Sequence, residues 1–324
     1  MKAFYAVAFL VLATPALAEK PELTVYAPDY FVSDWGPGPK VKAGFEAICD
    51  CTVKWVAGEV MPRLLLEGEH HTADVTIGLF ADDTARARAT GLFAPHGQDL
   101  AGLTMPVEWT DDTFLPFDWS ELAFVYDETR LPNPPASFAE LLESDVKIVL
   151  QDPRSSPSGL ATLFWVRSIY GDDAPAAWAK LAPNVLTLTK GWSESYGMFT
   201  SGEVDMVLSF TTSPAYHIAA ENDLTKHAAI FPEGHYLYVE LAGRMASSQQ
   251  PELADAFMAY MLSHDFQAMI PEANWSYPSK LADADLPQVF KDLPRPEKTL
   301  WFSEAEAEAL RRPMLDEWLT SFAR

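Results

Sequence analysis

Apolar and polar positions fall along this chain in two alternating rhythms. Short β-rich runs, LTVYA (23–27), TVKWVA (52–57) and ADVTIGL (73–79), have the length and composition of strands. Between and after them, KVKAGFEAI, MPRLLLEG and DDTARARATG repeat their apolar residues at helical spacing. The alternation predicts βαβ units and an α/β fold with a mostly parallel sheet. SELAFVYDETRL (120–131) reads as a strand leaving this first lobe. VKIVLQD (146–152), VLTLT and VDMVLSF supply further strands, with GLATLFWVRSIYG and SESYGMFTSG as helices among them. HYLYVELAGRM (235–245) reads as a strand returning to the first lobe, and PELADAFMAYMLS is amphipathic. Ser137 with Glu140 and Ser303 with Glu306 have capping-box spacing; the second pair opens a last helix, EAEAEALRRPMLDEWLTSF. Crossings near 114–126 and 232–245 predict two hinged lobes. The first spans 19–117, the second 118–234, the chain returns over 235–285, and a C-terminal helical segment, 286–324, packs on the lobes.

The first residues set the compartment. Lys2 precedes the apolar run AFYAVAFLVLATPALA, which closes on Ala16-Leu17-Ala18. This is the pattern of a signal peptide over 1–18, with a mature chain from near Glu19 outside the cytoplasm. The run is too short for a membrane span. The net charge of −23 disfavours nucleic acid, because phosphate binding needs clustered Lys and Arg. A neutral or cationic small molecule is easier to accommodate. The two cysteines, Cys49 and Cys51 in ICDCT, read as a local disulfide or as free thiols, since no further metal ligands lie nearby in sequence.

Candidate chemistry concentrates where strands end. VDMVLSF runs into Thr211, Thr212 and Ser213, with Pro214 placed where a helix begins, so Ser213 reads as an N-cap. QDPRSSPSGL places Ser155, Ser156, Pro157 and Ser158 at another strand-to-helix turn, where free amides suit an anionic or polar ligand group. Both turns also fit ordinary capped helices. Trp35, Trp192, Tyr216 and Trp275 lie beside Gly, Pro or Ser instead of at core spacing, and their faces suit a cation or a flat heterocycle, or lobe packing. Trp165 and Trp178 sit within helices and read as core. There is no G-x-S-x-G elbow, G-x-G-x-x-G loop or H-E-x-x-H pair, and the chain reads as a binding protein and not an enzyme.

The signal peptide, LTVYAPDYFVSDWGPGP, QDPRSSPSGL, LTKGWSESYG, LSFTTSPAYH, EGHYL and NWSYP, in this order, resemble the periplasmic thiamine-binding proteins of bacterial ABC importers. The resemblance runs from about residue 21 to 324. It implies the two-lobed type II periplasmic binding protein fold, usually a monomer, with ligand held in the cleft. It implies thiamine, its monophosphate or its diphosphate as transported ligand, no separate cofactor, and delivery to a membrane permease with its ATPase. Carried over residue by residue, the ligand contacts fall on Ser156, Pro157, Trp192, Phe210, Thr211, Thr212 and Ser213. Trp35, Tyr216 and Trp275 match aromatic positions of the family's cleft. The chain departs from the pattern after its second strand, where VAGEVMPRL replaces an Asp-Gly step and puts Gly58 and Glu59 in the region. It also has Pro28 where a Tyr occurs, with Tyr30 nearby, and Phe210 in place of a Tyr. The alternative is the same fold serving another small cation, a pyrimidine or ferric ion, although iron-binding relatives rely on adjacent tyrosines and this chain reads Tyr216-His217.

Overall fold

The computed structural model describes residues 20–322, so the expected signal peptide lies outside the described residues. Strands β1 (Glu22–Ala27), β2 (Thr52–Ala57) and β3 (Val75–Phe80) form where the β-rich runs predict them, and β1 pairs in parallel with both of the others. Helix α1 (Gly38–Glu46) turns Val41 and Phe45 inward, and α2 (Val60–Glu67) turns in Val60, Met61 and Leu64. Each helix covers the sheet with one apolar stripe, as βαβ geometry requires.

β4 (Phe114–Asp127) starts well before the expected residue 120. Pro116 and Asp118 interrupt its apolar pattern and conceal the strand's start in the sequence. β5 (Ile148–Gln151), β6 (Val185–Thr189), β7 (Met206–Phe210), β8 (Lys226–Ala229) and β9 (His235–Met245) follow. The sheet runs β2-β1-β3-β9-β4-β7-β5-β6, and β8 also pairs with β4. Two strands serve both halves. Residues 114–121 of β4 pair antiparallel with β9, and residues 122–126 pair with β7. β9 runs beside β3 from Glu240 to Arg244. The chain therefore crosses between lobes near Glu121–Leu122 and near Tyr236–Leu237.

The disulfide Cys49–Cys51 is formed. The Ser303–Glu306 capping box closes, with Ser303 donating its amide to Glu306 Oε2 at 2.9 Å. Ser137 Oγ accepts the Glu140 amide at 3.0 Å, but the Glu140 carboxylate accepts from the Ala136 amide instead. Helix α3 (Pro157–Tyr170) is buried along most of its length, with Trp165 donating to Gly234 O at 2.9 Å. Trp165 and Trp178 are core residues. The last helix, Glu304–Phe322, lies against α3 and against the turn at Asp82–Thr84. Its Arg311 pairs with Asp83 at 2.9 Å and reaches Asp82 O, while Tyr236 donates to Asp82 Oδ1 at 2.7 Å.

Burial pushes the Asp82 carboxyl up to about 7, against the opposing effects of the Tyr236 hydrogen bond and the Arg311 charge. A carboxyl that stays protonated in the folded state stabilises fully below its unfolded value, near 3.8, and that contribution is lost as pH rises through about 7. Asp82→Asn, which keeps an acceptor for Tyr236, should flatten the fall in melting temperature between about pH 5 and about pH 8. Calorimetry at those two values checks it; an unchanged slope would assign the pH dependence to other groups.

Candidate functional site

The carboxyl ends of β1, β2, β5, β6 and β7 carry the segments singled out in the sequence, and the two crossing strands run between the lobes. This is where open α/β sheets hold ligands, because strand ends and helix starts leave backbone groups free. β1 leads to Tyr30 and Trp35, β2 to Gly58 and Glu59, β5 to Ser156 and Pro157, β6 to Trp192, and β7 to Phe210 through Ser213.

On the second lobe the hydroxyls form a linked set. Trp192 Nε1 donates to Ser209 Oγ at 2.8 Å, and Ser209 Oγ meets Ser213 Oγ at 2.8 Å. The Trp192 ring stacks on Tyr196, centroids 4.6 Å apart, and Tyr196 in turn lies parallel to His217. One face of the half-buried indole is therefore covered from within its own lobe. Ser156 Oγ meets Ser158 Oγ at 3.0 Å, and Ser158 donates to Gln151 Oε1 at 3.0 Å. Gly159 allows α3 to start this close to β5: a methyl there would sit 2.6 Å from Gln151 O. Arg154 forks onto Asp152, which removes it as a free phosphate ligand.

The expected N-cap role of Ser213 is not adopted. Its backbone is already helical (φ −55°) and makes no side-chain cap bond; its Oγ accepts from the Phe210 amide at 3.2 Å. The following helix is a single turn, Pro214–Tyr216, continued by a π-helical turn over His217–Glu221. The hydroxyls in FTTS thus tie the strand end to Trp192 and to the crossing strand, where Thr212 Oγ1 meets Ser120 Oγ at 3.0 Å. Thr211 Oγ1 is buried without a partner.

Several expected residues meet one another. Tyr216, from the second lobe, is 38% exposed and sets its ring edge-on to Trp275, from the return segment, at 5.3 Å and 82°. Trp275 adopts φ +54°, a left-handed conformation seldom taken by large residues. Phe210 packs 5.1 Å from Tyr238, and Tyr238 lies 4.7 Å from Phe80. Gly58 takes φ +131° and donates its amide to Ala27 O at 3.0 Å, which brings the end of β2 to the end of β1. Glu59 follows at the mouth, its carboxyl raised by partial burial and then by Asp29, with Lys190 of the second lobe acting in the opposite sense. Trp35 is 64% exposed and makes no ring contact among the described residues.

Sequence reasoning passed over Asp118, Ser120, Tyr238 and Glu240. Their signal was present as polar residues inside strongly apolar strands. With side chains alternating in a strand, Asp118 and Ser120 share one face of β4, and Tyr238 and Glu240 share one face of β9. The register sets Ser120 opposite Tyr238 and Asp118 opposite Glu240. Because Ser120 reaches Thr212 and Tyr238 reaches Phe210, this face is the floor of the cleft.

The sequence profile described as bacterial extracellular solute-binding protein matches residues 28–268. A thiamine-binding periplasmic protein of Escherichia coli is 49% identical over 321 residues, covering 97% of this chain and 98% of its own. One from Brucella abortus is 48% identical over 316 residues, covering 96% and 95%. A solved structure of a periplasmic thiamin binding protein superposes with a TM-score of 0.91 at 49% identity, covering 94% of this chain and 97% of that one. No helix among the described residues is long and apolar enough to cross a membrane. The chain has the type II periplasmic binding protein fold and belongs to the bacterial extracellular solute-binding protein family, alongside the thiamine-binding periplasmic proteins that it matches almost end to end.

Proposed function

We propose that this protein captures thiamine in the cleft between its lobes and presents it to the membrane permease and ATPase of an importer. The observation that carries the reading is the Tyr216–Trp275 contact, in which rings from opposite lobes meet at the cleft. Thiamine is a flat aromatic cation, and aromatic faces attract cations by about 0.5–2 kcal/mol per contact. The near-half identity with thiamine-binding proteins supports the same ligand. Binding works by population shift: ligand that touches both lobes favours the closed arrangement by the difference in its contacts.

A phosphate on the ligand would sit at the start of α3, a helix of 14 residues, where first-turn amides lack intrahelical acceptors and Ser156 adds a hydroxyl. Titration calorimetry with thiamine tests the reading. One-to-one binding is expected, and an absence of heat at several temperatures, with no change in tryptophan fluorescence, would remove it. Ser156→Ala should weaken thiamine monophosphate about tenfold, the usual worth of a hydrogen bond to a charged group, and leave thiamine nearly unaffected. Equal losses for both ligands would place the phosphate elsewhere.

A further inference from the structure

Two carboxylates face each other in the cleft floor, at positions that no ligand contact carried over from the resemblance includes. Asp118 and Glu240 are directly opposed across β4 and β9, and they are 0% and 7% exposed. Like charges at opposed strand positions destabilise a sheet, and buried ions need partners. Among the described residues no Lys, Arg or His bonds to either carboxyl. Asn274 supplies one amide to both, with Nδ2 at 2.6 Å from Asp118 Oδ2 and 3.4 Å from Glu240 Oε1. Tyr30 donates to Glu240 Oε2 at 2.5 Å. The fourth oxygen, Asp118 Oδ1, is buried and has no partner.

Four carboxyl oxygens with two donor groups, Asn274 and Tyr30, and no cation cannot hold two full negative charges at low cost. One group must keep a proton while the cleft is empty. The same amide that bridges the pair precedes Trp275, so the pair lies directly beneath a candidate aromatic wall. The titratable groups around it are Tyr30 from the turn after β1 and Tyr238 on β9, with Asp82, Asp83 and Glu59 acting on Tyr238. The Tyr30 and Asn274 hydrogen bonds favour the ionised form of Glu240 but do not outweigh its burial.

We propose that Asp118 and Glu240 form a buried acid pair that shares a proton in the empty protein and releases it to solvent when a cationic ligand occupies the cleft above. The pair then supplies negative charge to the ligand while Asn274 holds Trp275 in place. Burial holds Glu240 up at about 7, and burial with the Glu240 charge raises Asp118 well above the carboxylate range, so at neutral pH the pair still holds a proton that a bound cation can displace. A bound cation favours the ionised pair, so affinity should rise as pH rises through about 7. If the cation lowers the pair's titration by about one unit, affinity changes about tenfold across the window.

The inference rests on thiamine as ligand, and the test separates the two. Thiamine is titrated into the full mature protein between about pH 6 and about pH 8.5, in buffers of differing ionisation enthalpy, which reports protons exchanged per ligand bound. Infrared difference spectra follow the protonated carboxyl band of the pair. The wild type should release a proton near pH 7 and lose that band on binding. Glu240→Gln should bind thiamine with almost no pH dependence over this window and release no proton. Asp118→Asn, which removes the like-charged neighbour, should shift the midpoint of the affinity profile to lower pH. Thiamine binding with no proton release and unaltered profiles in both variants would overturn the inference and leave the proposed function standing. If thiamine does not bind the wild type, the proposed function falls, and titrating choline, a cation without the pyrimidine, tests the pair by the same proton count. If Glu240→Gln fails to fold, the Asp118→Asn midpoint shift and the wild-type proton count still decide.

Discussion

Trp275→Ala will weaken thiamine binding by about 2 kcal/mol or more, roughly thirtyfold in Kd. The indole is the return segment's contribution to the ring contact across the cleft, edge-on to Tyr216 at 5.3 Å. Truncation removes both apolar area and a face for the cation. Trp275→Phe retains a ring and should lose less than about half of that. The backbone offers a further control. Trp275 sits at φ +54°, held there by Asn274, whose amide is tied to Asp118 and Glu240. Such a conformation costs a large residue about 1–3 kcal/mol, and glycine takes it freely. Trp275→Gly should therefore melt no lower than Trp275→Ala while binding ligand as poorly. Equilibrium titration followed by thermal melting separates the two effects; wild-type affinity in a well-folded Trp275→Ala protein would take this residue out of the site.

Gly78→Ala will destabilise the fold by about 3 kcal/mol, combining backbone strain with overpacking. Gly78 lies in β3 at φ +83°, opposite an irregularity in β9 where the register slips between Leu241 and Ala242. A glycine in the left-handed region at such a slip is the signature of a β-bulge. A methyl group there would sit 2.2 Å from Pro28 Cγ and 2.5 Å from its Cδ. Pro28 begins the segment that carries Tyr30 and Trp35, so the clash pushes on the cleft as well as on the sheet. Gly91, at φ +69° with open space around it, isolates the backbone contribution. Gly91→Ala should cost only about 1 kcal/mol in denaturant unfolding. Equal effects at the two positions would mean that Pro28 yields without cost.

Most of the fold was legible because its signals are local. Strand β3 and helix α3 follow from runs of apolar residues, and Gly171 stops α3 in the left-handed conformation that favours glycine. The strand-end hydroxyls of FTTS were equally visible, and they do lie at the carboxyl end of a strand. Their partners were not visible. Ser213 makes no cap bond to its helix and instead meets Ser209, which also accepts from Trp192, arriving from another strand end. The early start of β4 was hidden by Pro116 and Asp118, residues that penalise an isolated strand but are accommodated once β9 pairs alongside.

The α/β alternation, the two chain crossings and the polar or aromatic residues at each strand end are written in the order of the amino acids. Each of these depends on periodicity and turn chemistry within a few residues. Which of them meet depends on contacts between distant segments. Tyr216 and Trp275 touch because the return segment folds back against the second lobe. Asp118 and Glu240 face each other because two distant strands pair in one register, and a slip of one residue would have turned either carboxyl to the opposite face.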